Sequence, residues 1–325
     1  ILTKKGKLST SKESLMEMDS NDFIKKLLRY REIKKVSSTY LKPILENLDL
    51  YDRLHSQFNQ AITVTGRLSS SNPINLQNIP SRTELGKQVR SLFIPDKQHK
   101  LLCLDFSQIE LRLIAHFSQD QNMLTAYQKG VDIHEQTAKA IFDKDKPTKE
   151  ERFIGKTINF SSSYGAGPKK IAQTINLSGL SKKVTEEEAR VLLERFNALY
   201  PGINTWKRGV WWYSKKAQSI KTLLGRIIPI IWGKSWKDIA RAEREAISYL
   251  VQGSAADVMK ESIIRVFKVF PELRIISTVH DELLIELDFN EEELLTHIKD
   301  IMENVVTISI PLEVDAKIIN SWGEK

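Results

Sequence analysis

Apolar positions along the chain switch between two periods. Leu101-Leu102-Cys103-Leu104 is a continuous apolar run of strand length that stops at Asp105. Directly after it, Ser107-Gln108-Ile109-Glu110 has the form of a capping box, and Ile109, Leu113, Ile114 and Phe117 continue at helical spacing. The pattern predicts a strand that turns into a helix, with Asp105 at the strand's end. Ile275 to Val279 and Leu283 to Leu287 predict a hairpin whose turn, His280-Asp281-Glu282, is charged.

Helical signals dominate the rest. Capping boxes at Thr148–Glu151 and Thr185–Glu188 open two helices. The first is expected to run to Tyr164 and stop at Gly165 and Gly167-Pro168, and the second to end at Pro201. A long helical pattern spans Trp236 to Phe270, with a break expected at Gly253. Residues 10–50 read as short polar helices punctuated by Pro43, and Thr63 to Pro80, rich in Ser, Asn and Pro, reads as an irregular loop. Helices grouped between strands, without strict alternation, predict an α+β fold.

Composition narrows the class. With 325 residues, 41% apolar and 28% charged, the chain can bury a core and is not a disordered segment. A single cysteine, Cys103, excludes a disulfide framework and a cysteine-based zinc site, and fits a reducing compartment. The longest candidate apolar run, Ile227 to Trp232, is six residues, far short of the roughly 18 a membrane span needs. The chain opens on Ile1 with no signal peptide, which reads as a fragment or processed product. Forty-nine Lys and Arg against 41 acids give a net charge of +8, and its placement is uneven. Thr205 to Arg244 holds ten Lys or Arg against two acids, whereas Glu282 to Glu303 holds eight acids against Lys299. A basic surface that meets phosphates is one reading and a solvated helix face the other.

Three constellations carry candidate chemistry. Asp105 and Asp281, both at strand tips, are a carboxylate pair of the kind that holds hard divalent cations. Alone, two acids so far apart read as two ordinary turn residues, and only further residues beside them change that. Arg152, Lys156, Phe160 and Tyr164 recur every four residues, a slanting stripe about 18 Å long. Ile154, Ile158 and Phe153 beside it are expected to dock the helix. Two cations followed by two aromatics suit a ligand with phosphates at one end and a base at the other. A surface helix with Phe160 and Tyr164 in the core stays open. Lys237, Arg241, Arg244, Ser248 and Gln252 form a polar stripe on the later helix, with Val258, Ile263, Val266 and Phe267 expected to face the core opposite. With Arg67, Asn75 and Gln77 they offer mixed donors for a phosphate-tracking groove.

Asp105-Phe106-Ser107-Gln108-Ile109-Glu110-Leu111-Arg112, the Arg152–Tyr164 helix and Val279-His280-Asp281-Glu282 occur in that order. They resemble motifs A, B and C of the family A DNA polymerases, the DNA polymerase I type. Thr65-Gly66-Arg67-Leu68-Ser69-Ser70, Asn75 to Pro80, Asp132-Ile133-His134 and Gln252 to Asp257 match that family as well. The resemblance implies a right-hand polymerase fold with an antiparallel-sheet palm at 47–115 and 236–325, helical fingers at 116–235 and a partial helical thumb at 1–46. It implies a DNA polymerase using two Mg²⁺ ions, with Mn²⁺ as a substitute, on primer–template DNA and dNTPs. It further implies a monomer in a bacterial or phage-infected cytoplasm, with no membrane partner and an organelle as the other setting.

Site residues follow by position. Asp105 and Asp281 would bind metal, with the Phe106 backbone carbonyl, and Glu282 would support them. Arg152 and Lys156 would hold the triphosphate with Gln108 and His134; Phe160 would stack near the sugar and base, and Tyr164 would stand at the template position. Glu110 would be the steric gate against a 2′-hydroxyl. Arg67, Asn75, Gln77, Lys237, Arg241, Arg244, Gln252 and His280 would contact the duplex. Three departures stand out: Phe106 where Tyr is usual, Ser161-Ser162-Ser163 where the family has Gly and apolar residues, and no upstream thumb. The serines are expected to weaken the last helical turn, and proofreading and 5′ nuclease activities are expected to be absent. A noncatalytic DNA-binding module, a metal-dependent nuclease and a single-subunit RNA polymerase are the rival readings; Glu110 and Phe160 favour the deoxynucleotide enzyme over the last.

Overall fold

The computed structural model describes residues 9–16, 22–81, 83–181, 183–288 and 293–325. The chain divides into two compact units, residues 1–59, 69–101 and 319–325 forming one, and 60–68 and 102–318 the other. Residues 1–8 and 17–21 of the expected thumb, and 289–292 of the acidic stretch, lie outside the described residues.

The first unit carries helices α1 (Lys12–Met16), α2 (Asp22–Val36), α3 (Lys42–Glu46) and α4 (Glu84–Arg90). A π-helical stretch, Ser37–Leu41, joins α2 to α3 without a break, so Pro43 lies inside one helical run, just after that stretch, and does not separate two helices. Strand β1 (Gln57–Asn59) pairs antiparallel with β2 (Ser69–Ser71). The segment expected to be irregular therefore contains a strand, followed by a 3₁₀ turn at Leu76–Asn78. Side chains supply the order that hydrophobic pattern did not signal: the buried Ser70 Oγ accepts from Leu76 N at 3.2 Å, and Tyr40 donates to the Asn78 carbonyl at 2.6 Å. The buried Arg90 donates to the Ile79 carbonyl at 3.0 Å and lies 4.3 Å over the Trp322 ring.

The second unit is built around a sheet of order β6-β7-β3-β8, comprising β3 (His99–Phe106), β6 (Arg274–Val279), β7 (Glu282–Asp288) and β8 (Val314–Ile319). A small antiparallel pair, β4 (Ser219–Lys221) and β5 (Ile227–Pro229), stands apart from it. Helices α5 (Ile109–Ser118), α6 (Gln121–Gln128), α7 (Ile133–Phe142), α8 (Lys149–Ser163), α9 (Pro168–Asn176), α10 (Glu186–Leu199), α11 (Pro201–Ala217), α12 (Trp236–Val269) and α13 (Leu294–Glu303) complete it. Leu102, Leu104, Leu283 and Ile285 from the sheet join Leu113, Ile154, Ile158, Val251, Val258 and Val266 from the helices in one core.

Both expected capping boxes form in full, at Thr148–Glu151 and Thr185–Glu188. The long helix differs from expectation, since α12 runs unbroken for 34 residues through Gly253. A Cβ there would lie 2.8 Å from Thr222 Cγ2, so the glycine serves close packing and does not end the helix. Phe153 and Phe267, expected to face the core, are 41% and 54% exposed. Their neighbours Ile154 and Val266 take the inward positions, because a helix face admits only residues near i, i+4 and i+7.

Candidate active site

Because β7 lies beside β3 in the sheet, the β6–β7 turn reaches the end of β3. Phe106 N–H donates to the Asp281 carbonyl at 3.1 Å, which fixes the two motifs side by side. His280 turns the chain with φ 59°, in the left-handed region. Burial, and then the charge of Asp105, push the Asp281 carboxyl up to about 6, while Arg67 opposes the shift and Glu110 adds to it. Glu282, the first residue of β7, is buried and accepts from Cys103 Sγ at 3.3 Å. Among the described residues, no cluster of three or more His, Cys, Asp or Glu is placed to hold a metal. Two acids side by side, one of them holding its proton more tightly because of burial and its neighbour's charge, still suit a hard cation, which needs few protein ligands and takes oxygen from its substrate.

Glu110 corrects a local expectation. Helix α5 begins at Ile109, with Gln108 as its cap in the left-handed conformation and no side-chain cap bond. The expected box with Ser107 does not form. Ser107 N instead donates to the Glu313 carbonyl at 2.8 Å. The Glu110 carboxylate accepts from Arg67 at 2.6 Å and from the Tyr164 hydroxyl. Tyr164 also bonds with Gln252, and burial followed by the Glu110 charge keeps its phenol neutral. Gly66, at φ +75°, permits this corner: a Cβ there would meet Arg226 Cζ at 2.7 Å. Arg226 is in turn held by the buried Asp257 at 2.8 Å.

On α8 the stripe is present but already partnered at its start. Arg152 Nε donates to Asp132 at 2.8 Å. Asp132 also caps α7, accepting from His134 N at 2.8 Å and Glu135 N at 3.2 Å. Burial pulls the Asp132 carboxyl upward, yet the bonds from Arg152 and from these amides leave it below its ordinary value. Lys156 is exposed. Phe160 is half-buried with its ring 5.9 Å from that of His134. His134 is buried against Asn159 Nδ2 at 3.0 Å, and burial lowers it to about 4, so it is neutral at pH 7. Gln108 accepts from Tyr127 at 3.2 Å.

The α12 stripe divides. Arg244 and Gln252 lie near the end of α8: a Cβ on Gly165 would sit 3.5 Å from Arg244 Cγ, and Gln252 bonds Tyr164. Lys237 and Arg241 are exposed, and Arg241 stands 3.7 Å from both Asp238 and Glu245. His280 is exposed at the hairpin turn. Asn75 and Gln77 belong to the first unit, at the 3₁₀ turn.

Four residues received no role from the sequence, although Asp132 and Asp257 lie in segments that resemble the family. Asp132 gave a signal, an acid immediately before a helix with a cation stripe nearby. Arg226 and Asp257 are 31 residues apart and gave none. Lys207 occupies an otherwise apolar helical stripe, Ile203, Lys207 and Val210, where spacing alone marks it as buried.

The fold is that of a polymerase domain. A solved structure described as the POL domain of Pol1 from M. smegmatis in complex with DNA primer-template and dNTP matches it with a TM-score of 0.91 at 32% identity, covering 99% of this chain and 57% of that one. The profile of DNA polymerase family A matches residues 2–324, and the chain belongs to that family. It is 37% identical to the thermostable DNA polymerase I of Thermus aquaticus and 38% identical to DNA polymerase I of Helicobacter pylori strain J99, over 98% and 99% of its length. The chain spans 38% and 36% of those two relatives. Among the described residues, no helix is long and apolar enough to cross a membrane.

Proposed function

We propose that this chain adds deoxynucleotides to a primer 3′ end under the direction of a DNA template. One observation carries the reading: the Asp281 carboxyl feels Asp105, Arg67 and Glu110 together, and Glu110 is bonded to Tyr164 at the end of α8. The acidic pair and the gate position thus neighbour Tyr164, where the cation–aromatic stripe ends, and this supports reading them as one site. In this reading residues 47–115 and 236–325 are the palm, 116–235 the fingers and 1–46 part of the thumb.

Asp105, Asp281 and the Phe106 carbonyl would hold two Mg²⁺ ions, with Mn²⁺ able to replace them. When bound, these ions stabilise charge on the attacking and leaving oxygens of an in-line displacement. The chain's own groups do the rest. Lys156 and Arg152 bind the triphosphate, Arg152 exchanging its Asp132 partner for phosphate oxygens. Neutral His134 and Gln108 orient the phosphates by hydrogen bonds, and Phe160 offers a ring face to the sugar and base. Glu282, buried beside the pair, supports it. Arg67, Arg244, Gln252 and His280, with Asn75, Gln77, Lys237 and Arg241, would follow the primer–template duplex. The molecule would work as a monomer in the cytoplasm of a bacterium.

The test is primer extension with single dNTPs beside a degradation control. Addition of only the complementary nucleotide supports the reading. Shortening of the primer, or binding without extension, would favour the nuclease or the DNA-binding module.

A further inference from the structure

Helix α8 ends in three serines, yet its last turn is intact. Gly165, at φ +77°, lets its own N–H reach the Ser162 carbonyl at 3.0 Å and the Ala166 N–H reach the Ser161 carbonyl at 2.9 Å. That pair of bonds is a Schellman closure. The expected weakening of this turn by serine hydroxyls is therefore met by backbone closure, and a second element reinforces it. Lys207 Nζ, from the middle of α11, donates to the same Ser162 carbonyl.

Lys207 is 6% exposed and lies between Ile203 and Val210 on the inward face of α11. A buried ammonium is costly unless its donors are used. The negative end of a helix dipole is a favourable place for a cation. The Ser162 and Ser163 hydroxyls beside this turn are buried and have no hydrogen-bond partner among the described residues. The polar lysine thus faces a corner that is itself unusually polar. Burial alone lowers the lysine, to about 8, and no charged side chain contributes to that shift.

The turn that Lys207 holds is the one that sets Tyr164. Tyr164 is the C-terminal cap of α8, and its hydroxyl donates to Glu110. We propose that Lys207 is a positioning residue for the incoming nucleotide: its ammonium clamps the end of α8 and thereby fixes Tyr164 against Glu110. This rests on the polymerase reading for its consequence but not for its geometry.

The test therefore reads both. Hydrogen exchange across residues 160–168 is measured on the intact chain, with steady-state KM and kcat for dNTP incorporation. In Lys207→Met, of similar size, the Gly165 and Ala166 amides exchange at least tenfold faster, and KM rises threefold or more with a smaller change in kcat. Lys207→Gln, which keeps an N–H donor, restores at least half of that protection. Exchange within twofold of the parent in Lys207→Met, or a Lys207→Gln variant no better than it, overturns the proposal. Exchange needs no catalysis, so a parent protein that fails to extend primers would sink the polymerase reading while leaving the clamp measurable.

Discussion

Arg67 donates to one oxygen of Glu110 at 2.6 Å across 43 residues of sequence, and the Tyr164 hydroxyl takes the other oxygen. Glu110 is thus held by two long-range partners and not by its own helix start. In the proposed site this places a fixed carboxylate where a 2′-hydroxyl would need room.

Replacing Glu110 with Ala is expected to raise ribonucleotide use relative to dNTP use by about 100-fold or more, equivalent to roughly 2.7 kcal/mol of lost discrimination. Removal also strands Arg67 and Tyr164, at a cost of roughly 1–3 kcal/mol, so the melting temperature falls too. Competition kinetics with matched rNTP and dNTP separate the two effects. Unchanged discrimination in a less stable variant would return Glu110 to a structural role.

If α8 holds the triphosphate, the effect of removing a cation depends on its place along the helix. Lys156→Ala and Arg152→Ala lose at least tenfold in kcat/KM for dNTP, whereas Lys149→Ala, in the first turn and off the stripe, stays within twofold. Asp132→Ala frees Arg152 and removes a helix cap, so it lowers stability by about 1 kcal/mol. Equal losses in all three cation variants would mean that only the helix's bulk charge matters.

Asp281 links the site to stability. Its folded carboxyl sits at about 6, above the ordinary 3.8, so between those values the folded protein keeps a proton that the unfolded chain has lost. Stability from this group is present below pH 4 and is lost as pH rises through 6. Asp281→Asn, assayed by urea unfolding with chelator present, is expected to be roughly 1–3 kcal/mol more stable than the parent at pH 7 to 8 and equal to it near pH 4. No gain at pH 7 would show that the carboxylate is not strained by its neighbours.

Much of this site was legible because it depends on short-range signals. The apolar run before Asp105, the box at Thr148 and the four-residue stripe are local and periodic. What was hidden depends on contacts between distant segments. Ser107 and Glu110 have capping-box spacing, but the left-handed Gln108 starts the helix another way and frees Glu110 for Arg67 and Tyr164. Gly253 looks like a breaker until Thr222 is seen against it. The strand at Ser69–Ser71 has no apolar alternation to announce it, because side-chain hydrogen bonds order the segment after it. The spacing of Lys207 with Ile203 and Val210 hints at burial, but its partner, the Ser162 carbonyl 45 residues away, leaves no trace in the sequence.

Duplex grip is testable through salt. Log K for primer–template is expected to fall linearly with log salt. Lys237→Ala reduces the slope by about one contact, and Arg241→Ala by less, since Asp238 and Glu245 stand 3.7 Å from it. A slope near zero for the parent contradicts a phosphate-tracking surface.

In the proposed function Asp105 and Asp281 together form the catalytic centre of a nucleotidyl transferase. Single-nucleotide primer extension by the parent, Asp105→Asn and Asp281→Asn, with duplex affinity measured in parallel, decides whether they do. Each variant is expected to lose at least 1,000-fold in extension, about 4 kcal/mol of transition-state stabilisation, while binding primer–template within threefold of the parent. Extension by Asp281→Asn at the parental rate would contradict it.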